Sequence, residues 1–143
     1  MEQGSRRLAQ LAENNKPEVI PGLTQVNPSD PAATDLAAVL VYATYPTLAL
    51  AEQTGRQLVE EKLAACVNIL PVMTSIYRWQ GTIETAQEVV LLAKTVRQAA
   101  EAVTAFIVAN HSYETPAVDV IPIVSGSAPY LQWIADGSLR PNR

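Results

Sequence analysis

The sequence predicts an α+β domain with one four-stranded antiparallel sheet and two helices on one face of that sheet. Three observations point to this class. The chain has 143 residues, a length that suits one domain with a tail. Hydrophobic residues make up 48% of it and charged residues 17%, which is typical of a chain that buries a core. Segments of strand and helix character follow one another in the order β, α, β, β, α, β.

The first strand and the first helix are predicted between residues 36 and 62. Residues 36–44 form a nearly continuous apolar run that suits a strand buried on both faces. Pro46 ends the run, and Thr47 can cap the helix that follows. We expect the apolar face of this helix to consist of Leu48, Ala51, Gly55, Leu58, Val59 and the stem of Lys62.

A long β-hairpin is predicted over residues 65–79 and 82–95, with the turn at Gln80-Gly81. Pro71 has no N–H to donate, so we expect a bulge or a bend there. Each arm is more than twice the usual strand length of about 5 to 6 residues, so the hairpin should overhang the sheet. An overhanging apolar edge is normally covered, and self-association is the simplest cover.

The remaining elements complete a recognised topology. A second helix is predicted over residues 97–110, a fourth strand over residues 117–124, and a short helix over residues 128–136 that ends at Gly137. The order is that of the split βαβ, or ferredoxin-like, βαββαβ plait with a short C-terminal helix.

Residues 1–34 are interpreted as a flexible leader and residues 35–143 as the folded domain. Four of the ten prolines fall in the leader, where no helix or strand period is sustained. The leader is either a solvated tail or an arm that docks on a partner. We expect a cytoplasmic protein without a signal peptide or membrane contact, because the longest apolar run, residues 36–43, is far shorter than the ~20 residues of a membrane span.

Composition argues against several classes of function. The formal net charge of -4 leaves no basic excess for a phosphate backbone, so nucleic acid is not an expected partner. An RNA-recognition module, which shares the strand order, needs aromatic residues in its central strands, and residues 82–95 contain none. One Cys and one His exclude a disulfide framework and a zinc site of four Cys/His ligands from one chain.

Enzymatic and nucleotide-sensing alternatives find little support in the residues. An acyl-phosphate hydrolase of this fold needs an anion cradle with an arginine after the first strand, and residues 44–47 contain a proline and neither Arg nor Gly. A nucleotide sensor needs a Gly-rich or basic phosphate loop, and the six glycines are isolated. A nucleophilic enzyme that uses Cys66 and His111 stays open, and it requires a partly exposed thiol in an electropositive setting.

Five blocks of sequence carry a family resemblance. They are EEKLAACVNI (residues 60–69), SIYRWQG (75–81), EV with LAKT (88–95), HSYETP (111–116) and YLQW (130–133). Together they resemble the CutA divalent-cation-tolerance family over roughly residues 36 to 135. The resemblance implies a ferredoxin-like fold, a homotrimer built through the long hairpins, an architecture similar to PII-type signalling trimers, and no established catalytic reaction. It links the chain to tolerance of divalent metals, copper especially, and to metal binding or the anchoring of other proteins.

Cys66, His111 and Glu114 are the candidate metal ligands. Thiolate sulfur is a soft ligand suited to Cu(I), and imidazole and carboxylate suit borderline divalent ions. Two of them also have a structural interpretation: Cys66 lies among apolar residues as a small buried side chain, and His111 follows a helix whose C-terminal dipole it complements. We expect no required cofactor, and the resemblance implies a divalent metal ion, copper especially.

The other site candidates are expected at a pocket or interface between subunits. Tyr and Trp can bury a ring and still make a hydrogen bond, so they suit both a pocket and a simple interface anchor. The set comprises Tyr77, Trp79, Lys94, Tyr113, Pro116, Tyr130 and Trp133. The predicted function is that of a non-enzymatic, trimeric divalent-cation tolerance or response protein. The alternatives are a trimeric scaffold for an unknown protein partner and a small-ligand-sensing trimer resembling PII proteins.

Overall fold

The computed structural model describes residues 23–25 and 35–138, and it confirms the predicted order of elements. The hairpin arms and the second main helix begin and end within one residue of the predicted positions, and the first main helix begins as predicted but ends at Glu60, before the predicted Lys62. In chain order the elements are β1 (Leu23–Gln25), β2 (Ala38–Tyr45), α1 (Leu48–Glu60), β3 (Cys66–Trp79), β4 (Thr82–Val96), α2 (Arg97–Ala109), β5 (Val118–Pro122), β6 (Ser125–Ser127) and α3 (Ala128–Ser138).

The main sheet is antiparallel throughout, with the strand order β3-β4-β2-β5. β2 lies in the interior of the sheet, where it pairs with β4 from Ala38 to Tyr45 and with β5 from Val39 to Ala43. The central position explains its apolar sequence, because a strand with neighbours on both sides is the most deeply buried. The mixed α+β class and the ferredoxin-like arrangement are therefore those that the sequence predicts.

The helices α1 and α2 cover one face of the main sheet. Odd-numbered residues of β2 and β4 point to this face, because side chains alternate along a strand. The buried core there contains Val41, Ala43, Tyr45, Val89, Leu91 and Ala93 from the strands and Ala51, Leu58, Val103 and Ile107 from the helices. The opposite surface, which we call the second face, carries the even-numbered residues Leu40, Tyr42, Thr44, Val90, Leu92 and Lys94.

The buried stripe of α1 differs from the predicted one. Its buried residues are Ala51, Thr54, Gly55 and Leu58, which follow the spacing of one helical face. Leu48 and Val59 were expected on that face but are 43% and 41% exposed. Lys62 follows the end of the helix and has a φ of 57°, so its stem does not extend the stripe. Leu48 and Val59 lie at the margin of the buried stripe, within about 40° of Gly55 around the helix, and remain partly exposed there.

Thr47 caps α1 as predicted, because its hydroxyl oxygen accepts a hydrogen bond from the Leu50 N–H at 3.3 Å. Thr47→Ala is expected to lower the free energy of unfolding by about 1 kcal/mol. Denaturant unfolding of the full chain at a fixed protein concentration measures this change. Thr47→Ser keeps the oxygen and should stay within about 0.5 kcal/mol of the parent. An equal loss in both variants would contradict the role of the cap.

The predicted bulge lies in β3. Between Leu70 and Met73 the register shifts, so that Pro71 and Val72 together oppose the single residue Val89 of β4. Pro71 fits here because a bulged residue does not need to donate to the ladder. Val72 has a φ of 62°, a left-handed conformation that is strained for a β-branched residue.

The bulge changes which residues of β3 lie on the second face. Before the bulge these are the even-numbered residues, and beyond it they are the odd-numbered ones. The even-numbered residues of β4 stay on the second face throughout. Beyond the bulge, the second face therefore carries Met73, Ser75, Tyr77 and Trp79 from β3 and Glu88, Ala86, Glu84 and Thr82 from β4.

A small second sheet joins the predicted leader to the domain. β1 pairs antiparallel with β6, with Thr24 opposite Gly126. The sequence analysis contains neither strand. The rest of the predicted leader, residues 1–22 and 26–34, lies outside the described residues. The last helix, α3, was predicted to end at Gly137. It continues through this glycine to Ser138.

Candidate functional site

The predicted site residues form two clusters: one lies on the second face of the sheet, and the other extends from that face to Tyr45 at the end of β2. The thiol cluster contains Cys66, Lys94, Tyr130 and Trp133. The loop cluster contains His111, Tyr113 and Glu114 from the α2–β5 loop with Tyr77 and Trp79 from β3. Strand register separates the clusters. Cys66 pairs with Lys94 of β4, which lies opposite Leu40 of β2. His111 hydrogen-bonds to Thr44, four residues further along β2. That step spans about 13 Å.

In the thiol cluster, Cys66 and Lys94 are cross-strand neighbours. The Lys94 ammonium donates a hydrogen bond to the Tyr130 hydroxyl at 3.0 Å and lies 5.2 Å from the centre of that ring. The half-buried Cys66 sulfur lies 3.7 Å from the same hydroxyl oxygen. The hydrogen bond to Tyr130 is the main reason why the pKa of Lys94 is raised. Trp133 stacks on Tyr130 with a centroid distance of 5.7 Å.

This arrangement gives the thiol a cationic neighbour. The thiolate is the nucleophilic and metal-binding form of cysteine. The same positive charge of Lys94 repels a metal dication that approaches the sulfur. A reactive Cys66 requires an electropositive setting, and Lys94 provides one. It also requires His111 as its partner, and this residue, the one histidine of the chain, lies in the other cluster.

In the loop cluster, both ring nitrogens of His111 are engaged. Nδ1 accepts a hydrogen bond from the Tyr113 backbone N–H at 3.0 Å, so Nε2 carries the proton and donates to the Thr44 carbonyl oxygen at 2.7 Å. The ring also stacks on Tyr45, with centroids 4.4 Å apart, and contacts the ring of Tyr113 at 4.9 Å. His111 therefore fastens the α2–β5 loop to β2.

Tyr45 beneath this histidine is buried, and burial raises the pKa of its phenol. Its hydroxyl makes no hydrogen bond of good geometry to the described residues, although the buried Thr54 side chain is close enough to favour the ionised form somewhat. The Tyr45 ring thus serves as a stacking surface for His111.

A cavity of about 640 Å³ opens beside this loop on the second face. Its walls come from the hairpin beyond the bulge and from the α2–β5 loop. Glu88 lies in it and accepts a long hydrogen bond of 3.4 Å from the Tyr113 hydroxyl. Burial, with the Glu88 charge as a smaller cause, raises the pKa of Tyr113. The lining residues are Thr44, Tyr77, Trp79, Ala86, Glu88, Ser112, Tyr113, Glu114, Thr115 and Ala117.

Glu88 is the site residue that the sequence analysis missed. It belongs to a block that carries the family resemblance, but its place in the cavity depends on contact with a loop 25 residues further along the chain. Alternation along β4 would put Glu88 on the second face, and that is the one signal in the sequence that could have identified it. Pro116, predicted at an interface, belongs to the same loop and is half-buried.

The three predicted metal ligands do not meet within one chain. Cys66 lies in the thiol cluster, and His111 and Glu114 lie in the loop cluster. Within residues 23–25 and 35–138, no three His, Cys, Asp or Glu side chains are grouped so that they could hold a metal ion. A site built from these ligands therefore needs a second copy of the chain. In the same ranges, no helix is long and apolar enough to cross a membrane.

Comparison with known proteins identifies the relatives of this chain. Residues 39–137 match the family model of the CutA1 divalent ion tolerance protein. The divalent-cation tolerance protein CutA of Thermus thermophilus is 41% identical over 99 residues, which cover 69% of this chain and 96% of that protein. The chloroplastic CutA of Arabidopsis thaliana is 38% identical over 101 residues, which cover 71% of this chain and 56% of that protein. The chain thus spans little more than half of this plant relative.

The solved structures agree with the sequence comparison. The crystal structure of CutA1 from Oryza sativa superposes with a TM-score of 0.71 at 35% identity, covering 76% of this chain and 99% of that one. Relatives are named for different compartments, chloroplast in Arabidopsis thaliana and periplasm in Archaeoglobus fulgidus, so a cytoplasmic location for this chain stays a prediction. Fold, sequence blocks and family model agree, and the chain is a member of the CutA1 divalent ion tolerance protein family.

Proposed function

We propose that this protein is a non-enzymatic divalent-cation tolerance protein that acts as a homotrimer and binds copper. Membership of the family supports a role in metal tolerance in general. The choice of copper, the trimer and the absence of catalysis are the parts that require experiment.

The observation that carries the proposal is that Cys66 lies in one cluster, whereas His111 and Glu114 lie in the other. A thiol enzyme needs a base within hydrogen-bond reach of the sulfur, and the ring of His111 instead bonds to Thr44 and Tyr113. A metal site needs about three or four ligands, and neither cluster of the described chain offers three. A function completed by other copies of the chain satisfies both constraints.

The hairpin beyond the bulge supports assembly through its exposed apolar surface. Its tip, residues 76–85, carries Ile76, Trp79 and Ile83, with exposed fractions of 71%, 62% and 58% in the single chain. An apolar surface of this kind on a long two-stranded ribbon favours pairing with another chain. Closed symmetry is the usual outcome when identical chains pair. We propose three copies because the family resemblance implies a trimer.

The metal part of the proposal places the Cys66 sulfur as the soft ligand for copper. Lys94 opposes a dication there, so we expect the thiolate to prefer Cu(I), which brings a smaller positive charge. Glu114 is exposed on the cavity wall and is free of the two hydrogen bonds that occupy His111, so it is the more available of the two loop ligands.

Cys66→Ser is expected to weaken Cu(I) binding at least tenfold, because oxygen is a poor ligand for that ion. Glu114→Gln should weaken Cu(II) or Zn²⁺ binding by a smaller factor. Calorimetric titration of the full chain, with the mass measured under native conditions, gives both quantities. Glu52→Gln on the exposed side of α1 is the matched control. Unchanged affinities in both variants would remove these residues from the metal site.

One alternative function has an observation in its favour. A small-ligand sensor needs a cavity of about 300–1,000 Å³ with a few converging polar groups, and the cavity beside Tyr113 has that size. In the scaffold alternative the trimer presents either a surface or the leader to a partner protein, and most of the leader lies outside the described residues. The native mass measured with and without added small molecules distinguishes the two functions. A sensor gains the mass of a bound small molecule, whereas a protein that binds only metal does not.

A further inference from the structure

The cavity on the second face has a one-sided chemical character. Three aromatic side chains line it, together with two carboxylates and several small residues. Among its described lining residues there is no Lys, Arg or His. The aromatic residues are Tyr77, Trp79 and Tyr113, and the carboxylates are Glu88 and Glu114.

The cations closest in sequence are directed elsewhere. Arg78 lies between Tyr77 and Trp79, so strand alternation places its side chain on the opposite face of the hairpin. Lys94 is six residues from Glu88 along β4, about 20 Å, and hydrogen-bonds in the thiol cluster. Both ring nitrogens of His111 are hydrogen-bonded, to the Thr44 carbonyl and the Tyr113 N–H, and His111 is not among the lining residues. Nothing among these groups offsets the negative charge of the cavity.

This composition selects the charge of a ligand. The faces of aromatic rings attract cations, and the attraction grows when the cation is shielded from water. Carboxylates in the same cavity add a Coulomb attraction for a cation and repel an anion. Phosphate-bearing ligands are therefore disfavoured. A bare metal ion is also disfavoured, because the described residues do not bring three His, Cys, Asp or Glu ligands together here.

We infer that this cavity binds a small organic cation of the ammonium or guanidinium class. The rings of Tyr77, Trp79 and Tyr113 contact the cation, and the carboxylates of Glu88 and Glu114 balance its charge. The hydrogen bond from the Tyr113 hydroxyl holds the Glu88 carboxylate at the cavity wall. This inference goes beyond metal tolerance. Trp79 is also the anchor of the proposed interface, so the inference requires that the neighbouring copy of the trimer leaves this cavity open, and the binding test is made on the assembled protein.

The test compares choline with 3,3-dimethylbutan-1-ol, which has the same shape and no charge, by calorimetry on the full chain. We expect choline to bind at least about tenfold more tightly, because the neutral compound lacks the cation–π and Coulomb attractions. Methylguanidinium should bind as well, and added salt should weaken both cations. Glu88→Gln and Glu114→Gln should each lower the affinity for choline severalfold, whereas Glu52→Gln should leave it unchanged.

A second measurement locates the ligand. Of the two tryptophans in the chain, Trp133 lies in the thiol cluster, so Trp133→Phe leaves Trp79 as the only tryptophan. Choline should then change the fluorescence of Trp79 with the same affinity that calorimetry gives. Because the assay needs no substitution of Trp79, the hairpin tip keeps its native surface.

Several results would overturn the inference. Equal affinity for choline and the neutral alcohol would show an apolar cavity without charge selection. Displacement of choline by stoichiometric Zn²⁺ or Cu²⁺ would show a metal site, and preferred binding of inorganic phosphate would show the opposite selectivity. Sedimentation analysis of the same samples keeps the two proposals apart: a trimer without choline binding refutes only this inference, and a monomer with choline binding refutes only the trimer.

Discussion

Removal of the hairpin tip is expected to convert the proposed trimer into monomers, each slightly lighter than the 15.4 kDa of the full chain. The variant deletes residues 76–79 and 82–85 and joins Ser75 and Ala86, which oppose each other, through the native Gln80-Gly81 turn. Four cross-strand pairs are lost, an even number, so the alternation of hydrogen-bonded pairs is preserved. Burial of one large apolar side chain is worth ~1.5–3 kcal/mol, so loss of several removes the main contact that we propose.

Sedimentation equilibrium at low micromolar concentration measures this change. The matched control is Thr85→Ala, which alters an exposed polar residue of the same tip and should leave the mass unchanged. Trp79→Ala tests the central anchor alone and should cost ~2 kcal/mol or more of association free energy. A shortened chain that still sediments as a trimer would place the interface elsewhere, and a parent chain of 15.4 kDa would refute the trimer itself.

His111→Ala is expected to lower the free energy of unfolding by roughly 2 to 4 kcal/mol. The substitution removes the hydrogen bonds to the Thr44 carbonyl and from the Tyr113 N–H, and it removes the ring that stacks on Tyr45. Denaturant unfolding at one protein concentration measures the loss, since concentration affects the stability of an oligomer. The α2–β5 loop should also exchange its amide hydrogens faster.

Two control variants distinguish the contribution of His111 to stability from that of its neighbours. Ser112→Ala changes the exposed neighbour and should stay within about 0.5 kcal/mol of the parent. Tyr45→Phe keeps the stacked ring and removes a buried hydroxyl that lacks a good hydrogen bond, so it should cost nothing or stabilise the chain slightly. A His111→Ala variant as stable as the parent would show that the loop is held by other contacts.

Much of the fold follows from local signals in the sequence. The hairpin was predictable because strand composition on both sides of Gln80-Gly81 leaves few other structures, and Gln80 and Gly81 do adopt the positive φ values of 47° and 80° that a tight turn requires. Pro71 marked the bulge because proline lacks an N–H. The face of α1 was harder to predict, since Leu48 and Val59 are apolar residues that remain exposed.

The site was less predictable, because its parts are distant in the chain. Cys66, Lys94 and Tyr130 meet only when α3 packs against β4. Glu88 meets Tyr113 only when the α2–β5 loop reaches β4. The sequence indicated that these residues were candidates but not which of them share a cluster. Separation of Cys66 from His111 is likewise a matter of strand register, which no local pattern encodes.

The bulge in β3 has a genetic consequence. The strand contains one residue more than its partner here, while the pairs on either side stay in register: Leu70 lies opposite Val90 and Met73 opposite Glu88. An in-frame loss of the codon for Val72 would therefore remove the left-handed residue and leave Tyr77 opposite Glu84, on the same face as before. Loss of a codon for a paired residue of β3 would instead move its neighbours to other partners or to the other face. Selection should therefore tolerate the loss of Val72 more readily than the loss of any paired residue of this strand.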